Sequence, residues 1–347
     1  MRSKLFFLLL TLTLSVLAGT YASGQEFTFK GKSIRLILGF PSGGGSDNEA
    51  RLLAKFLERH LPGNPSIVVQ NMPGAAGLVA ANWFAQFAKP DGQTLYYLSS
   101  TQIIDQAFER PEVKYNILNW EIVGSILRGM SIAVMRPEKL ERLKSGTPLA
   151  IGSRSGEDTW NAMFLWGAEY LKWNVRWVLG YPGGGEMRLA FQRGETDIYA
   201  TSNSLALKEL MAEGFQPFVQ KGRLMPDGSF KKRIEFPKVP LFDELLGAKK
   251  PAGVPWQAYT VLAGSDDAGR TLHVGQKTPA EIVRAYREGF RRLETDKEFK
   301  AELARIAGDE AELLDANEAE PVLRRLLKID PATKEFTSGM LKKYLNR

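Results

Sequence analysis

Units made of a strand, a glycine-rich loop and a helix recur along this chain. Residues 34–38 form the first predicted strand and residues 39–45 the loop, and a helix begins at Ser46, which forms a predicted capping box with Glu49. Apolar residues recur through that helix at the spacing of one buried face, up to Leu61. Strand, loop and helix in succession predict a parallel-rich sheet covered by helices, which is an α/β fold.

The same order of elements continues in two series that share a plan without being sequence repeats. The first series has further predicted strands at 66–69 and 94–98. The second has predicted strands at 132–134, 149–152, 175–179 and 197–200. Helices are predicted between them at 78–88, 139–143, 159–171 and 186–193.

The last third of the chain departs from this alternation. A hairpin or loop insertion is predicted at 223–233, because Pro226-Asp227-Gly228 is a turn sequence. Residues 256–262 are predicted as an apolar strand that returns the chain to the first sheet. A capped helix begins near Thr278 and Pro279, and charged helices fill the remainder.

The first 22 residues have the composition of a secretory signal peptide. Arg2 and Lys4 precede the uncharged segment 5–18, and small residues stand before a predicted cleavage site after Ala22. The apolar segment is shorter than the roughly 20 residues needed to span a bilayer. We therefore expect export to the periplasm and a mature chain that begins at Ser23.

Length and composition predict two globular domains and exclude a nucleic-acid partner. About 325 mature residues exceed what one hydrophobic core usually organises. Hydrophobic residues at 44% and charged residues at 24% match compact proteins. The formal net charge of +7 includes Arg2 and Lys4, and the other charges interleave along the chain without a basic stripe that could follow a phosphate backbone. The short basic run 231–233 is expected to be solvated.

Residue usage argues against catalysis. The chain has no cysteine and two histidines, His60 and His273, neither of which has a second ligand at useful spacing. Gly45-Ser46-Asp47 lacks the lysine of a phosphate-binding loop, and no Gly-x-Ser-x-Gly elbow is present. The neighbouring acids Glu157 and Asp158 are expected on a solvated loop. We expect no catalytic residue, no metal and no cofactor.

Three loops combine glycines with polar groups where predicted parallel strands end. They span residues 40–47, 73–77 and 181–185. Open parallel sheets bind ligands at this edge, and successive N–H groups at a helix start attract anions such as carboxylates. The alternative for any single loop is a tight turn without a ligand.

Sequence motifs in and around these loops resemble one family. Phe40-Pro41-Ser42-Gly43-Gly44-Gly45-Ser46-Asp47 is followed by Ala50-Arg51, and the segments 71–77, 90–95, 181–184, 194–197 and 237–240 carry further motifs in matching order. They resemble the substrate-binding receptors of tripartite tricarboxylate transporters, also called Bug proteins. The resemblance covers nearly the whole mature chain.

The resemblance implies a type II periplasmic binding protein fold. Two α/β domains, 23–129 with 257–347 and 130–256, would close on a small organic acid by a hinge at crossings near Met130 and Pro255. The carboxylate would be held by main-chain N–H groups and waters, without an arginine clamp. The partners implied are the acid and, transiently, the membrane subunits of the transporter; a monomer is expected. The predicted ligand-binding residues are Phe40, Gly44, Gly45, Ser46, Asp47, Gly74, Ala75, Ala76, Ser99, Ser100, Thr101, Ser153, Asp158, Trp160, Tyr181, Gly183, Gly184, Thr201 and Asn203.

Several alternatives stay open at this stage. Trp160 either stacks on an aromatic ligand or packs in the core, and Asp47 either contacts the ligand or caps its helix. The 223–233 insertion and the C-terminal extension depart from the family pattern. Di- and tricarboxylates, aromatic acids and amino-acid-like compounds are all compatible ligands. The alternative function is a binding subunit that reports to a two-component sensor without transport.

Overall fold

The computed structural model describes residues 27–156, 158–225 and 227–345. The predicted signal peptide and its cleavage site lie outside the described residues, as do Glu157 and Pro226. The described residues form two main sheets and a small hairpin, with helices packed around them.

Thirteen strands occur in the described part of the chain. They are β1 (Ser33–Leu38), β2 (Ser66–Asn71), β3 (Thr94–Leu98), β4 (Glu121–Leu127), β5 (Ile132–Met135), β6 (Leu149–Ser153), β7 (Val175–Leu179), β8 (Ile198–Thr201), β9 (Gln216–Gln220), β10 (Arg223–Leu224), β11 (Phe230–Lys231), β12 (Arg270–Val274) and β13 (Glu312–Asp315).

The same residues contain twelve α-helices, with short 3-10 turns between some of them. They are α1 (Gly45–His60), α2 (Leu78–Phe87), α3 (Ser100–Ala107), α4 (Asn161–Tyr170), α5 (Gly184–Gln192), α6 (Ser204–Ala212), α7 (Phe242–Leu246), α8 (Val254–Gly264), α9 (Ala280–Arg292), α10 (Lys297–Ala307), α11 (Ala316–Leu326) and α12 (Pro331–Leu345). The predicted helix at 139–143 is part of the 3-10 helix Pro137–Leu143.

The first sheet has the strand order β13-β4-β12-β3-β1-β2. Strand β1 pairs in parallel with β2 and β3, while β12 runs antiparallel to both β3 and β4. All five residues of β3 are buried. A central strand covered by helices on both faces explains its uninterrupted hydrophobic sequence.

The second sheet has the order β7-β6-β8-β5-β9. Strand β6 pairs in parallel with β7 and β8, and β5 runs antiparallel to β8 and β9. Strands β10 and β11 form a separate antiparallel hairpin, as predicted for the insertion at 223–233. The parallel strands predicted from the alternation of elements are present in both sheets, and the α/β fold class is confirmed.

Two segments connect the sheets. Residues 128–131 lead from β4 in the first sheet to β5 in the second, close to the crossing predicted at Met130. The chain returns through the 3-10 helix Ser265–Ala268 and Gly269 to β12. The return therefore lies beyond Pro255, where the second crossing was predicted.

The predicted strand at 256–262 is wrong, because this segment is helix α8. Pro255 lies in the first turn of the helix, a position where its fixed φ and missing N–H cost nothing. The buried residues Ala258, Tyr259 and Leu262 lie on one helical face and pack into the core of the second sheet. A helix buried along this face carries a short apolar run that resembles a strand in sequence.

The predicted domain limits need correction at two helices. Residues 257–347 were assigned as a whole to the first domain. Helix α8 packs in the second core, and so do Met340, Leu341 and Leu345 of the C-terminal helix α12. Their apolar side chains bury against that core, while Phe290 of α9 and Phe299 of α10 belong to the first core. The C-terminal segment therefore contributes to both halves of the molecule.

The basic run 231–233 was predicted to be solvated. The structure corrects this prediction, because Arg233 is buried. Its guanidinium forms ion pairs with Glu235 and, at 3.2 Å, with Glu310. It also donates to the carbonyl oxygens of Met130, at 3.3 Å, and Ser202, at 3.2 Å. A buried charge needs such partners to offset its desolvation, and Arg233 thereby anchors the first connecting segment.

We predict that Arg233→Ala lowers the free energy of unfolding by about 3–5 kcal/mol, because it leaves Glu235 and Glu310 without their buried counter-charge. Urea denaturation of the mature protein measures this change. The matched control is Arg193→Ala, since Arg193 is 69% exposed and lies 3.9 Å from Glu195; its effect should stay under about 1 kcal/mol. Equal effects of the two substitutions would contradict the anchoring role of Arg233.

Candidate functional site

A cavity of about 140 Å³ lies between the two sheets. Its walls come from the loops that follow β1, β7 and β8, together with the side chains of Arg128 in the first connecting segment and Arg270 at the start of β12. All three loops begin where a strand ends and stop where a helix begins. This is the edge at which α/β sheets hold ligands.

Three helix N-termini open onto this cavity. The N-cap residues of α1, α5 and α6 are Gly44, Gly183 and Asn203. The first N–H groups of a helix have no partner inside the helix and carry a partial positive charge. The two glycine caps have no side chain to satisfy them, so these donors are available to a bound anion. The side chain of Asn203 caps α6 by accepting from the Ala206 N–H at 3.0 Å.

Glycine is needed in these loops because the two halves of the molecule approach closely there. A Cβ atom on Gly183 would lie 3.1 Å from Pro41, and one on Gly45 would lie 3.0 Å from Asn203 Nδ2. Larger residues would push the loops apart or fill the cavity. The glycines predicted to allow close approach of a ligand also allow close approach of the opposite loop.

Asp47 holds the first glycine loop in place and does not line the cavity. Its Oδ2 accepts from the Gly43 N–H and from Arg51 Nε, both at 2.9 Å, and its Oδ1 accepts from Asn71 at 2.9 Å. Burial would raise the pKa of Asp47, but these hydrogen bonds outweigh burial and lower the pKa below its ordinary value. Asp47 therefore fixes the loop ahead of its own helix, a role that neither sequence alternative described.

Glu49 does not form the predicted capping box with Ser46. Its carboxylate is fully buried and forms ion pairs with Arg128 Nε at 2.9 Å and Arg270 Nε at 3.2 Å. It also accepts from the Tyr97 hydroxyl at 3.2 Å. Arg128 begins the first connecting segment and Arg270 is the first residue of β12, directly after the return segment, so a single carboxylate of α1 joins the two arginines. Both arginines line the cavity.

A third arginine reaches the cavity from the second sheet. Arg154 forms an ion pair with Asp158, and its guanidinium lies 4.8 Å from the ring centroid of Phe40 and 5.1 Å from that of Trp160. Asp158 is buried, which corrects the prediction of a solvated acidic loop. It also accepts from the Ser153 hydroxyl at 2.7 Å. The buried Asp158 was misread because its partner is a neighbouring arginine that offsets the cost of burial.

The structure brings about half of the predicted site residues to the cavity. Those that line it are Phe40, Gly44, Gly45, Ser46, Trp160, Gly183, Gly184, Thr201 and Asn203. Trp160 is partly buried, with one part of its ring against the cores and another at the cavity. The core packing predicted for Trp160 is present, and stacking on an aromatic ligand stays a prediction. The binding role of these residues stays a prediction.

The other predicted residues lie outside this cavity. Ala76 accepts a hydrogen bond from Gln102, and Ser99 caps α3 and contacts Thr101. Ser100 donates to Asp266 at 2.8 Å beside a smaller adjoining cavity at the connecting segments. The positions away from the cavity are Asp47, Gly74, Ala75, Ala76, Ser99, Thr101, Ser153, Asp158 and Tyr181. Most of them hold loops and helix ends in place.

Sequence reasoning missed the four arginines of the cavity, Arg128, Arg154, Arg188 and Arg270. Arg188 is paired with Glu209 at 2.5 Å. Arg128 follows strand β4 and Arg270 begins strand β12, and neither strand was predicted, so the position of these arginines was not recognised. The available signal was the position of Arg128 two residues before Met130, at the predicted crossing.

Neither histidine lies at the cavity. His60 pairs with Asp296 at 2.8 Å, and His273 is buried beside Trp120, where burial lowers its pKa to about 3. Among the described residues, no cluster of His, Cys, Asp and Glu could hold a metal ion. Within the same residues, no helix combines the length and the apolar character needed to cross a membrane.

Two relatives are similar to this chain in sequence. Protein BugT from Bordetella pertussis is 32% identical over 125 residues, which cover 36% of this chain and 37% of BugT. The UPF0065 protein in the gbd 5′ region of Cupriavidus necator is 28% identical over 247 residues, which cover 66% of this chain and 69% of that protein. The match to BugT thus spans little more than a third of its length. No family model matches the chain.

Solved structures of similar fold are periplasmic binding proteins. BugD gives a TM-score of 0.69 at 16% identity and covers 89% of this chain and 98% of its own. MatC from Rhodopseudomonas palustris with bound malate gives 0.65 at 19% identity and covers 89% and 99%. An R. palustris protein with adipate gives 0.64 at 18% identity and covers 90% and 97%.

These comparisons agree with the motifs in the glycine loops and with the two sheets that enclose the cavity. The predicted resemblance to the Bug-type solute-binding proteins is thereby confirmed, and the chain has the two-domain α/β fold of periplasmic binding proteins.

Proposed function

We propose that this protein is an exported solute-binding receptor that captures a small organic acid between its two sheets and delivers it to a tripartite tricarboxylate-type transporter. The observation that carries this proposal is the convergence of three helix N-termini and the guanidinium groups of Arg128 and Arg270 on one cavity. Such an arrangement supplies donors and positive potential but no nucleophile or base with a matched partner.

A carboxylate fits the chemistry of this cavity. The N-terminus of α1 begins at Gly45 and that of α5 at Gly184, so N–H donors come from both halves of the molecule. A carboxylate can accept several such bonds at once, because each of its oxygens has more than one lone pair. Donors on both sides would make the bound acid a bridge between the halves, which favours the closed form when ligand is present.

The comparisons support an organic acid as ligand and transport as the role. Proteins of the same fold hold malate and adipate, and another is described as a TctC solute-binding protein. Transport receptors thus recur among the structures similar to this chain, which is why we propose transport in preference to sensing. The membrane subunits of the transporter are the proposed partner, and a receptor of this kind is not an enzyme.

The proposed location is the periplasm. The sequence begins with the basic, apolar and small-residue segments of a signal peptide, with the proposed cleavage after Ala22. The chain has no cysteine, so an exported form would depend on its hydrophobic cores and not on disulfides.

We predict that a small acid raises the melting temperature of the mature protein, because a ligand that binds only the folded state stabilises it by mass action. The measurement is a thermal-shift screen of the chain begun at Ser23 against malate, adipate, succinate, citrate and benzoate, each paired with its amide. A shift with an acid but not with its amide supports the proposal. If sugars or nucleotides shift the melting temperature and no acid does, the proposed ligand class is wrong.

A second prediction concerns Gly45→Val. The valine side chain would enter the space at the α1 N-terminus. Its Cβ would lie 3.0 Å from Asn203 Nδ2 and 3.6 Å from Arg128 Nη2. We expect affinity for the acid found in the screen to fall at least about 30-fold, a loss of roughly 2 kcal/mol, while the fold persists. Isothermal titration calorimetry measures the affinity and circular dichroism the fold.

The matched control for this substitution is Gly339→Val. Gly339 lies in helix α12, where an added Cβ would meet open space. This variant should bind like the wild type, and its stability should not fall, because valine has a somewhat higher helix propensity than glycine. Unchanged affinity in Gly45→Val would remove the first glycine loop from the binding site.

A further inference from the structure

We infer that Arg128 and Arg270 form a side-chain anion subsite, in which the anionic group of the ligand is held by one guanidinium group from the first connecting segment and one from the start of β12. The inference rests on the proposed function and deepens it. The family resemblance implied main-chain N–H groups and waters without an arginine clamp, so this subsite would set the present chain apart.

Arg128 and Arg270 are both largely buried and both reach the cavity. Their side chains are 10% and 15% exposed. In each, the Nε atom is the one that approaches Glu49. The terminal nitrogen Nη2 of Arg128 lies only 3.6 Å from the position of a Cβ on Gly45, at the start of α1. The terminal nitrogens of Arg128 therefore reach the same space as the N-terminus of α1 and the amide of Asn203.

The positive charge of Arg128 and Arg270 exceeds the negative charge that is paired with them. Glu49 is the one carboxylate that pairs with Arg128 and Arg270 among the described residues, so two guanidinium groups share one negative charge. The other cavity arginines are matched, Arg154 by Asp158 and Arg188 by Glu209. Buried charge that exceeds its partners is costly, and an anionic ligand at the two arginines would remove that cost.

The remaining acid of the cavity does not compensate for this excess. Glu186 lies in the first turn of α5, and its Oε2 is 3.1 Å from the position of a Cβ on Gly183. Its carboxylate thus lies near the N-terminus of its own helix, where the helix dipole favours a negative charge, but within the described part of the chain it makes no capping hydrogen bond to the N–H groups there. The positive charge shared by Arg128 and Arg270 is left for the ligand.

Burial and the neighbouring arginines both disfavour the charged form of Arg270. Burial, together with the charges of Arg128 and Arg154, outweighs the attraction of Glu49 and lowers the pKa of Arg270 to about 10. A carboxylate beside these guanidinium groups would reverse that effect. A bound anion would offset the cost of holding these like charges in a buried place.

The position of the two arginines also explains how binding would favour closure. Arg128 belongs to the segment 128–131 between β4 and β5, and Arg270 begins β12 directly after the return segment. An anion that contacts both residues contacts the first connecting segment and the start of the strand to which the return segment leads. It would therefore bind most tightly when the segments adopt the arrangement of the closed form.

The experiment compares Arg128→Gln and Arg270→Gln with the wild type in calorimetric titrations. The probes are succinate, citrate and benzoate and their amides. For the acid that binds the wild type best, we expect each substitution to raise Kd at least about 30-fold, as for truncation of one partner in a buried charge pair. Affinity for the corresponding amide should change less than about threefold, so that the preference for acid over amide collapses.

The matched control is Arg287→Gln. Arg287 is partly buried, donates to the Ile122 carbonyl oxygen at 2.9 Å and lies outside the cavity. This variant should keep both affinities. Arg128→Lys retains the charge and should keep the preference for acid over amide. Because Arg128 and Arg270 are substituted separately, the test still stands if one of the two glutamine variants fails to fold.

Two results would overturn the inference. One is a wild-type preference for acid that persists in both glutamine variants. The other is an equal loss of acid and amide affinity, which a structural role of the arginines would produce. A wild type that binds no acid at all would instead refute the proposed function, so the two failures are distinguishable.

Discussion

The buried carboxylate of Glu49 joins parts of the molecule that are otherwise independent. It stands on α1, whose apolar face packs on the first sheet, and it contacts Arg128 of the first connecting segment and Arg270 at the start of β12. A buried ion pair is seldom a source of net stability, because desolvation offsets the attraction. Its value lies in specificity, since only one arrangement of helix, loop and segments satisfies all three groups. The shape of the cavity depends on that arrangement.

The glycine loops depend on the same arrangement. Asp47 closes the first loop by accepting from the Gly43 N–H, and Glu49 lies two residues further along α1. With the helix fixed by Glu49 and the loop fixed by Asp47, the N–H groups at Gly45 have a defined direction. Donors that are oriented before the ligand arrives need little ordering when it binds, and this raises affinity for a given set of contacts. The Pro41 side chain lies against Gly183 in the opposite loop, so the cavity walls meet where one of the two residues has no side chain.

Local sequence signals predicted much of this structure. The strand–loop–helix units gave β1, α1 and the loops at the cavity, because a strand end, a run of glycines and a helix start are all short-range features. The segment at 256–262 was misassigned because its apolar run fits either element; Pro255, which favours a helix start, was the overlooked signal. The arginines could not be predicted this way. Their role depends on the pairing of Arg128 and Arg270 with a carboxylate far away in the sequence, and such pairings follow from topology and not from local pattern.

The central prediction is that an organic acid binds between the sheets, where the α1 N-terminus meets Arg128 and Asn203. A crystal structure of the mature protein grown with the acid that stabilises it most tests this claim directly. We predict electron density for the carboxylate within hydrogen-bond distance of the N–H groups at Gly45 and of the Arg128 guanidinium. Density for the acid elsewhere, such as in a separate cavity that Arg223 and Arg325 line, with the space at Gly45 filled by water alone, would contradict this prediction.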